Sequence, residues 1–232
     1  MVNISYFCGS LNSSSRTRET IELLINYPNL ENANYNSLNE IQKEIIPCQG
    51  QKDCFFKGYC NLDNLDNFNM TKEAILQSDV IILGSPVYGD MVSSYTKLFL
   101  DRLSYLEHLM PLARTPCVLI VSTHSKSNRT LNYLFNTLSY YGCSIVGIII
   151  VDHKTTPSQV VEQAKIVANK LSMILASKIQ LSSNCLLEKL FSNYNHLYNS
   201  VNISGHEWEE WSKENYLEYE NFQEVIDSHN FG

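Results

Sequence analysis

GSPVYGDMVSSYTKLFLDRLSYL, from Gly84 to Leu106, is the stretch from which the fold of the chain is read. The run before it, Val80 to Leu83, is short and β-branched enough to be a buried strand, and Gly84, Ser85 and Pro86 are expected to end it in a loop. Beyond the loop, Tyr95, Phe99, Leu103 and Leu106 recur at helical spacing. A strand therefore passes through a turn into an amphipathic helix. In an open parallel sheet ligands bind outside the carboxyl ends of the strands, which places Pro86, Val87, Tyr88, Gly89 and Asp90 at a candidate site.

The same unit recurs along the chain. Val2 to Phe7 reads as a first strand, broken by Cys8-Gly9-Ser10, and a Ser/Asn-rich stretch leads to a helix near Arg16 that carries Ile21, Leu24 and Ile25 on one face. Uncapped N–H groups and the helix dipole at such a junction suit a phosphate, with Ser10, Asn12, Ser15, Arg16 and Thr17 as candidates; helix capping by Ser13 to Ser15 is the alternative. Neither a Gly-x-x-x-x-Gly-Lys loop nor a three-glycine fingerprint is present, which leaves a mononucleotide. A second strand falls within Ala33 to Leu38 and a helix within Asn69 to Gln77. Cys117 to Ser122 is a strand with Pro116 at its start, and Leu131, Leu134, Phe135, Leu138 and Tyr141 set a helix that Gly142 ends. Ile145 to Val151 is almost uniformly β-branched, as for a strand covered on both faces. Thr156, Pro157 and Gln159 open a long last helix through Val160, Ala164, Val167, Leu171 and Ile174. The expected fold is α/β, a doubly wound five-stranded parallel sheet of order 2-1-3-4-5 over residues 1–181. Residues 182–232 are expected to form a helical extension rich in aromatic and acidic residues. Trp208, Trp211, Tyr216, Tyr219 and Phe222 in it need burial on the body or on a second subunit.

Ser85-Pro86-Val87-Tyr88, Val92-Ser93, Lys97, Phe99, Asp101 and Arg102 resemble the flavin-ring loop and following helix of the NADPH-dependent FMN reductase and iron–sulfur flavoprotein group of the flavodoxin-like superfamily. Gly9-Ser10 with Ser15 and Thr17 is similar to that group's phosphate loop, with Leu11 and Asn12 in place of the usual Pro-Arg. Trp211 to Leu217 resembles the ending of its longer members. The resemblance implies FMN with Tyr88 beside the ring. It also implies that the loop from Thr123 to Asn128, glycine-free here, closes over the pyrimidine edge through Thr123, His124 and Ser125. It further implies NAD(P)H as co-substrate and a small-molecule electron acceptor: a quinone, flavin, nitro compound, metal ion or biosynthetic intermediate. Since this chemistry belongs to the flavin, no catalytic side chain is named. A one-electron carrier between protein partners is the alternative, and a flavodoxin-like binding protein without cofactor a third class. The group's subunit-boundary flavin implies a homodimer or homotetramer.

Cys48, Cys54 and Cys60 stand where members of that group with a [4Fe–4S] cluster have four cysteines, and Gln51 takes the second position. The incomplete set leads us to expect ordinary thiols and no cluster, which also favours hydride chemistry over the carrier. Seven cysteines in 232 residues suit reduced thiols in a cytoplasmic protein. A net charge of −7 without a Lys/Arg block argues against nucleic acid and anionic membrane surfaces, and no apolar run is long enough to span a bilayer.

Overall fold

The computed structural model describes residues 1–30, 33–125, 127–200 and 205–228. Asn3–Cys8 (β1) leads into Arg16–Ile25 (α1), Asn34–Ser37 (β2) and Leu38–Ile41 (α2). The cysteine-bearing segment holds Asp53–Lys57 (α3) and Asp63–Asp66 (α4), and Phe68–Leu76 (α5) returns the chain to Val80–Tyr88 (β3) and Met91–Val92 (β4). Ser94–Leu103 (α6), Pro116–Ser122 (β5), Asn128–Tyr140 (α7), Ser144–Val151 (β6) and Pro157–Leu175 (α8) follow. Cys185–Ser200 (α9), His206–Lys213 (α10) and Phe222–Asp227 (α11) close the chain.

The parallel strands are ordered β2-β1-β3-β5-β6, which is 2-1-3-4-5 when only they are counted, and β4 adds an antiparallel pairing to β3. Alternation along β3 sends Ile81 and Leu83 to one face, against α5, α6 and α7, and Val80 and Ile82 to the other, against α1 and α8. Both sets are apolar because helices cover both faces. The reciprocal capping box of Thr156 and Gln159 starts α8, whose Val160, Ala164, Val167, Leu171 and Ile174 are all buried.

Two expectations need correction. β3 does not end at Leu83 but continues through Gly84, Ser85 and Pro86 to Tyr88. Its pairing with β1 stops at Cys8↔Gly84, whereas pairing with β5 runs on to Pro86↔Ser122, so Pro86 sits where one side of the strand has no neighbour and its missing N–H breaks no ladder. What read as an open loop is the tip of a tight hairpin, with Gly89 and Asp90 at φ +59° and +65° between paired Tyr88 and Met91. β6 is one of the two edge strands of the parallel sheet, and Ile148 on it is 40% exposed, so β-branching there did not signify cover on both faces.

The aromatic residues of the extension are largely buried within the same chain. Phe191, Trp211, Tyr216 and Phe222 form a third core with Ile174 of α8 and with Met110 and Ala113 of the loop before β5. Trp211 Nε1 donates to the carbonyl of His108 at 2.8 Å, and Tyr216 Oη to that of Met110 at 3.3 Å. The segment between α2 and α5 is fastened by buried ions. Arg102 donates to Asp63 at 2.7 Å, to Asp66 and to the Ile46 carbonyl at 2.8 Å, while Lys72 bonds Asp63 and donates to Tyr105 Oη at 2.8 Å. Burial pushes the Asp66 carboxyl up, but Arg102 and the N–H groups of Ile46 and Phe68 outweigh it and hold it below the usual carboxylate range.

Candidate cofactor site

At the carboxyl edge of the sheet, the turns after β1, β3, β5 and β6 are cross-braced. The Gly9 N–H donates to the Gly84 carbonyl at 2.7 Å, and Ser93 Oγ donates to the Gly9 carbonyl at 2.6 Å. Ser93 also caps α6, accepting from the Thr96 N–H at 3.1 Å, and Thr96 Oγ1 donates to Ser85 Oγ at 3.0 Å. Ser85 is thus an internal hub between β3 and α6, fully buried, and does not line the cavity beside it. Thr17, also fully buried, shares a hydrogen bond with Ser122 and ties α1 to β5. Arg16 reaches the other way: its guanidinium donates to the carbonyls of Asp152 and of Thr155, the latter at 2.9 Å, and clamps the loop after β6 to the start of α1.

These braces frame one open cavity of about 430 Å³, lined by Ser10, Asn12, Ser15, Arg16, Pro86, Val87, Tyr88, Ser122, Thr123, His124 and His153. Small-molecule sites run from about 300 to 1,000 Å³. One end is a helix N-terminus dressed with hydroxyls and an amide; the other is the proline, valine and tyrosine of the hairpin. Ser15 caps α1 through the Arg18 N–H at 3.3 Å, so its hydroxyl is a helix cap whatever else it binds. Gly89, Asp90 and Ser125 do not line the cavity; Asp90 pairs with Arg129 at 3.3 Å and fixes the hairpin to α7. Among the described residues, then, nine of the candidates converge on one space: Ser10, Asn12, Ser15, Arg16, Pro86, Val87, Tyr88, Thr123 and His124. Lys126, within the loop after β5, lies outside the described residues.

Three residues of this region escaped the sequence reading. Ser122 ends β5 and His153 follows β6, so the rule that sites lie at carboxyl ends, applied to every strand, could have found both. Arg18 stands behind the first loop, donating to the Ser10 carbonyl at 3.5 Å with its buried Nε unpartnered among the described residues. No signal in the sequence separated it from a surface arginine. Cys8 lies beneath the same loop, where burial pushes its thiol up and keeps it neutral.

The residues present suit a flavin mononucleotide: donors for one phosphate at the α1 end, an aromatic and apolar wall for a planar ring, and a volume in range. They do not suit a four-thiolate cluster. Cys48, Gln51, Cys54 and Cys60 do line a common second cavity beside α6, but this donor set is three thiols and an amide, one thiolate short of the four such a cluster takes.

Comparison with known proteins places the chain. The profile of the NADPH-dependent FMN reductase family matches residues 2–156, well over half of its length, and the chain belongs to that family of NAD(P)H-dependent flavin oxidoreductases. An iron–sulfur flavoprotein of Clostridioides difficile is 26% identical over 141 residues, which span 60% of this chain and 60% of that one. An iron–sulfur flavoprotein of Archaeoglobus fulgidus is 25% identical over 204 residues, 81% of this chain and 88% of the other. Among solved structures, an NADH:FMN oxidoreductase in its apo form superposes with a TM-score of 0.55 at 18% identity, over 80% of this chain and 92% of that one. RosB, with a bound riboflavin-phosphate intermediate, gives 0.56 at 12% identity, over 89% and 90%. At such identities these structures speak for a shared flavodoxin-like fold. Among the described residues, no helix is long and apolar enough to cross a membrane.

Proposed function

We infer that the cavity at the carboxyl edge holds FMN and that the chain carries reducing equivalents from NAD(P)H to a small-molecule acceptor. The observation that carries this reading is the convergence of the hydroxyl-rich start of α1, the Pro86-Val87-Tyr88 hairpin and the Thr123-His124 turn on one cavity. Ser10, Asn12, Ser15 and the first N–H groups of α1 bind the phosphate, with Arg18 as the cation behind them. Pro86, Val87 and Tyr88 flank the ring and exclude water from one side; Thr123 and His124 meet its polar edge. When bound, FMN supplies the hydride chemistry. The chain holds the ring at an open mouth, so that nicotinamide and acceptor reach it in turn.

In this reading residues 1–181 form the cofactor-binding unit and residues 182–232 a cover packed on its body. The enzyme works in the cytoplasm as a homo-oligomer, a dimer or tetramer, and nucleic acid and membrane are not its partners. Releasing the cofactor by heat from protein reconstituted with a flavin mixture, and separating it by chromatography, tests the assignment. FMN is expected, and recovery of FAD or of no flavin would contradict it.

A further inference from the structure

We propose that His124 and His153 act together as the proton source for the electron acceptor. The proposal rests on the oxidoreductase reading above and adds the residues that complete the chemistry at the acceptor. NAD(P)H delivers a hydride, which is two electrons and one proton. An acceptor of the conjugated-carbonyl class, such as a quinone, ends with two electrons and two protons. One proton must come from elsewhere, and general acids placed in the site are the usual source.

The lining of the cavity offers hydroxyls, an amide, a phenol, a guanidinium and two imidazoles. Of these side-chain types only imidazole commonly holds and releases a proton near neutral pH. The two rings come from different turns, after β5 and after β6, yet their centroids are 5.3 Å apart with planes at 51°. A single loop histidine is an ordinary surface feature; two converging on one cavity from separate strands are a constellation.

The turn that carries His153 is held on both sides. Asp152 Oδ1 accepts from the Lys154 N–H at 2.8 Å, the Thr155 N–H at 2.9 Å and Thr155 Oγ1 at 2.8 Å, and Arg16 grips the carbonyls of Asp152 and Thr155. Arg16 is thereby a positioning residue for His153. The carboxylates around the mouth are already engaged. The Asp152 carboxylate is turned into its own loop and lies below the usual range because the Thr155 hydroxyl and Lys154 N–H bind it, and Asp90 pairs with Arg129.

In the step itself the imidazolium N–H bond breaks and its electron pair stays on nitrogen. The acceptor oxygen gains that proton as a new O–H bond, while the acceptor's second site gains the hydride supplied by the reduced cofactor. The neutral ring is then reprotonated from water through its partner.

The test compares two acceptors. The FMN-loaded wild-type protein and the H124Q, H153Q and double variants are reduced anaerobically with stoichiometric dithionite. Each is then mixed with a naphthoquinone, which needs a proton, or with ferricyanide, which takes single electrons and needs none. In the double variant the ratio of quinone to ferricyanide rate should fall about tenfold or more, and the pH dependence of the quinone rate between about pH 5 and 8 should flatten. FMN affinity, followed by fluorescence quenching, should stay close to that of the wild type in H153Q, and the two variants that lack His124 are compared at FMN concentrations that saturate them. A fall of less than about threefold in the FMN-saturated double variant, or loss of FMN from H153Q, would overturn the proposal, because the rings would then be bystanders or His153 a cofactor ligand. Because dithionite replaces NAD(P)H, the ratio decides this point even if NAD(P)H fails to reduce the wild type, an outcome that would count against the proposed function instead.

Discussion

A Cβ atom added to Gly9 would stand 1.8 Å from Thr96 Oγ1, so the first loop and the start of α6 touch with no room for a side chain between them. The glycine is required by close approach, since its neighbours also include the Gly84 carbonyl at 3.0 Å and Ser93 Oγ at 3.2 Å. Gly9→Ala should destabilise the protein by about 1–3 kcal/mol through overpacking and weaken flavin binding by displacing the loop. Adding Thr96→Ala should recover part of the loss, which a double-mutant cycle in urea would measure; strict additivity would contradict the contact.

The serines of the first loop separate two roles. Ser10→Ala with Ser15→Ala should weaken FMN binding by about 1–3 kcal/mol, the range for hydrogen bonds to a charged group. Because Ser15 Oγ also caps α1, the apo-protein should lose about 1 kcal/mol of stability. Unchanged FMN affinity together with lowered stability would leave Ser15 as a cap and move the phosphate elsewhere.

The buried ions around Arg102 make a prediction about acid. Arg102→Gln should cost about 3–5 kcal/mol, because it strands the Asp63 and Asp66 carboxylates in the interior. The Asp66 carboxyl is held below its ordinary value, so its contribution is complete above the unfolded-state value of about 3.9 and is lost as the pH falls through the lower folded value. Asp66→Asn should therefore lower stability at neutral pH and shrink the difference from wild type below about pH 3. A difference that held constant into acid would contradict the assignment.

The extension should loosen in alkali. His108 Nδ1 lies 3.0 Å from Glu207 Oε1, and Tyr198 donates to Glu207 Oε2 at 2.8 Å, which joins α9 and α10 to the loop after α6. The Glu207 carboxylate raises the proton affinity of His108, so this bond contributes fully below about pH 6.5 and is lost as the pH rises through the raised folded value. Amide exchange in α10, corrected for intrinsic rate, should become less protected on passing from about pH 6 to 9, and His108→Gln should remove that dependence. Equal pH dependence in the variant would place the cause elsewhere.

Much of this architecture was legible in the sequence, and particular residues show why. Val80 to Leu83, Cys117 to Ser122 and the start of α8 at Thr156 carry local signals that no tertiary contact overrides. The extension of β3 through Pro86 was not legible, because whether a proline can stay in a strand depends on which neighbour strand has already ended. Ser85 and Thr17 look like ligand hydroxyls in one dimension, but burial turns them into braces between elements. His153 was passed over because its partner His124 lies 29 positions away (153 − 124) and only the parallel pairing of β5 and β6 brings them together.

The cysteine segment should be dispensable for flavin reduction. Cys48, Cys54 and Cys60 line a cavity beside the far end of α6, apart from the one lined by Tyr88 and His124, and hydride transfer needs only the two rings within reach. Changing all three to Ser should leave the rate of NAD(P)H-driven flavin bleaching within about threefold. A collapse of that rate with FMN still bound would assign the segment to nicotinamide binding or catalysis.

The central claim is that this chain binds FMN so that NAD(P)H can reduce it. Anaerobic stopped-flow mixing of the FMN-loaded protein with NADH or NADPH, followed at the visible flavin band, tests it most directly. The account predicts full bleaching in a phase whose rate saturates with the concentration of at least one of the two nucleotides. A flavin that stays oxidised with both, yet bleaches with dithionite, would contradict it.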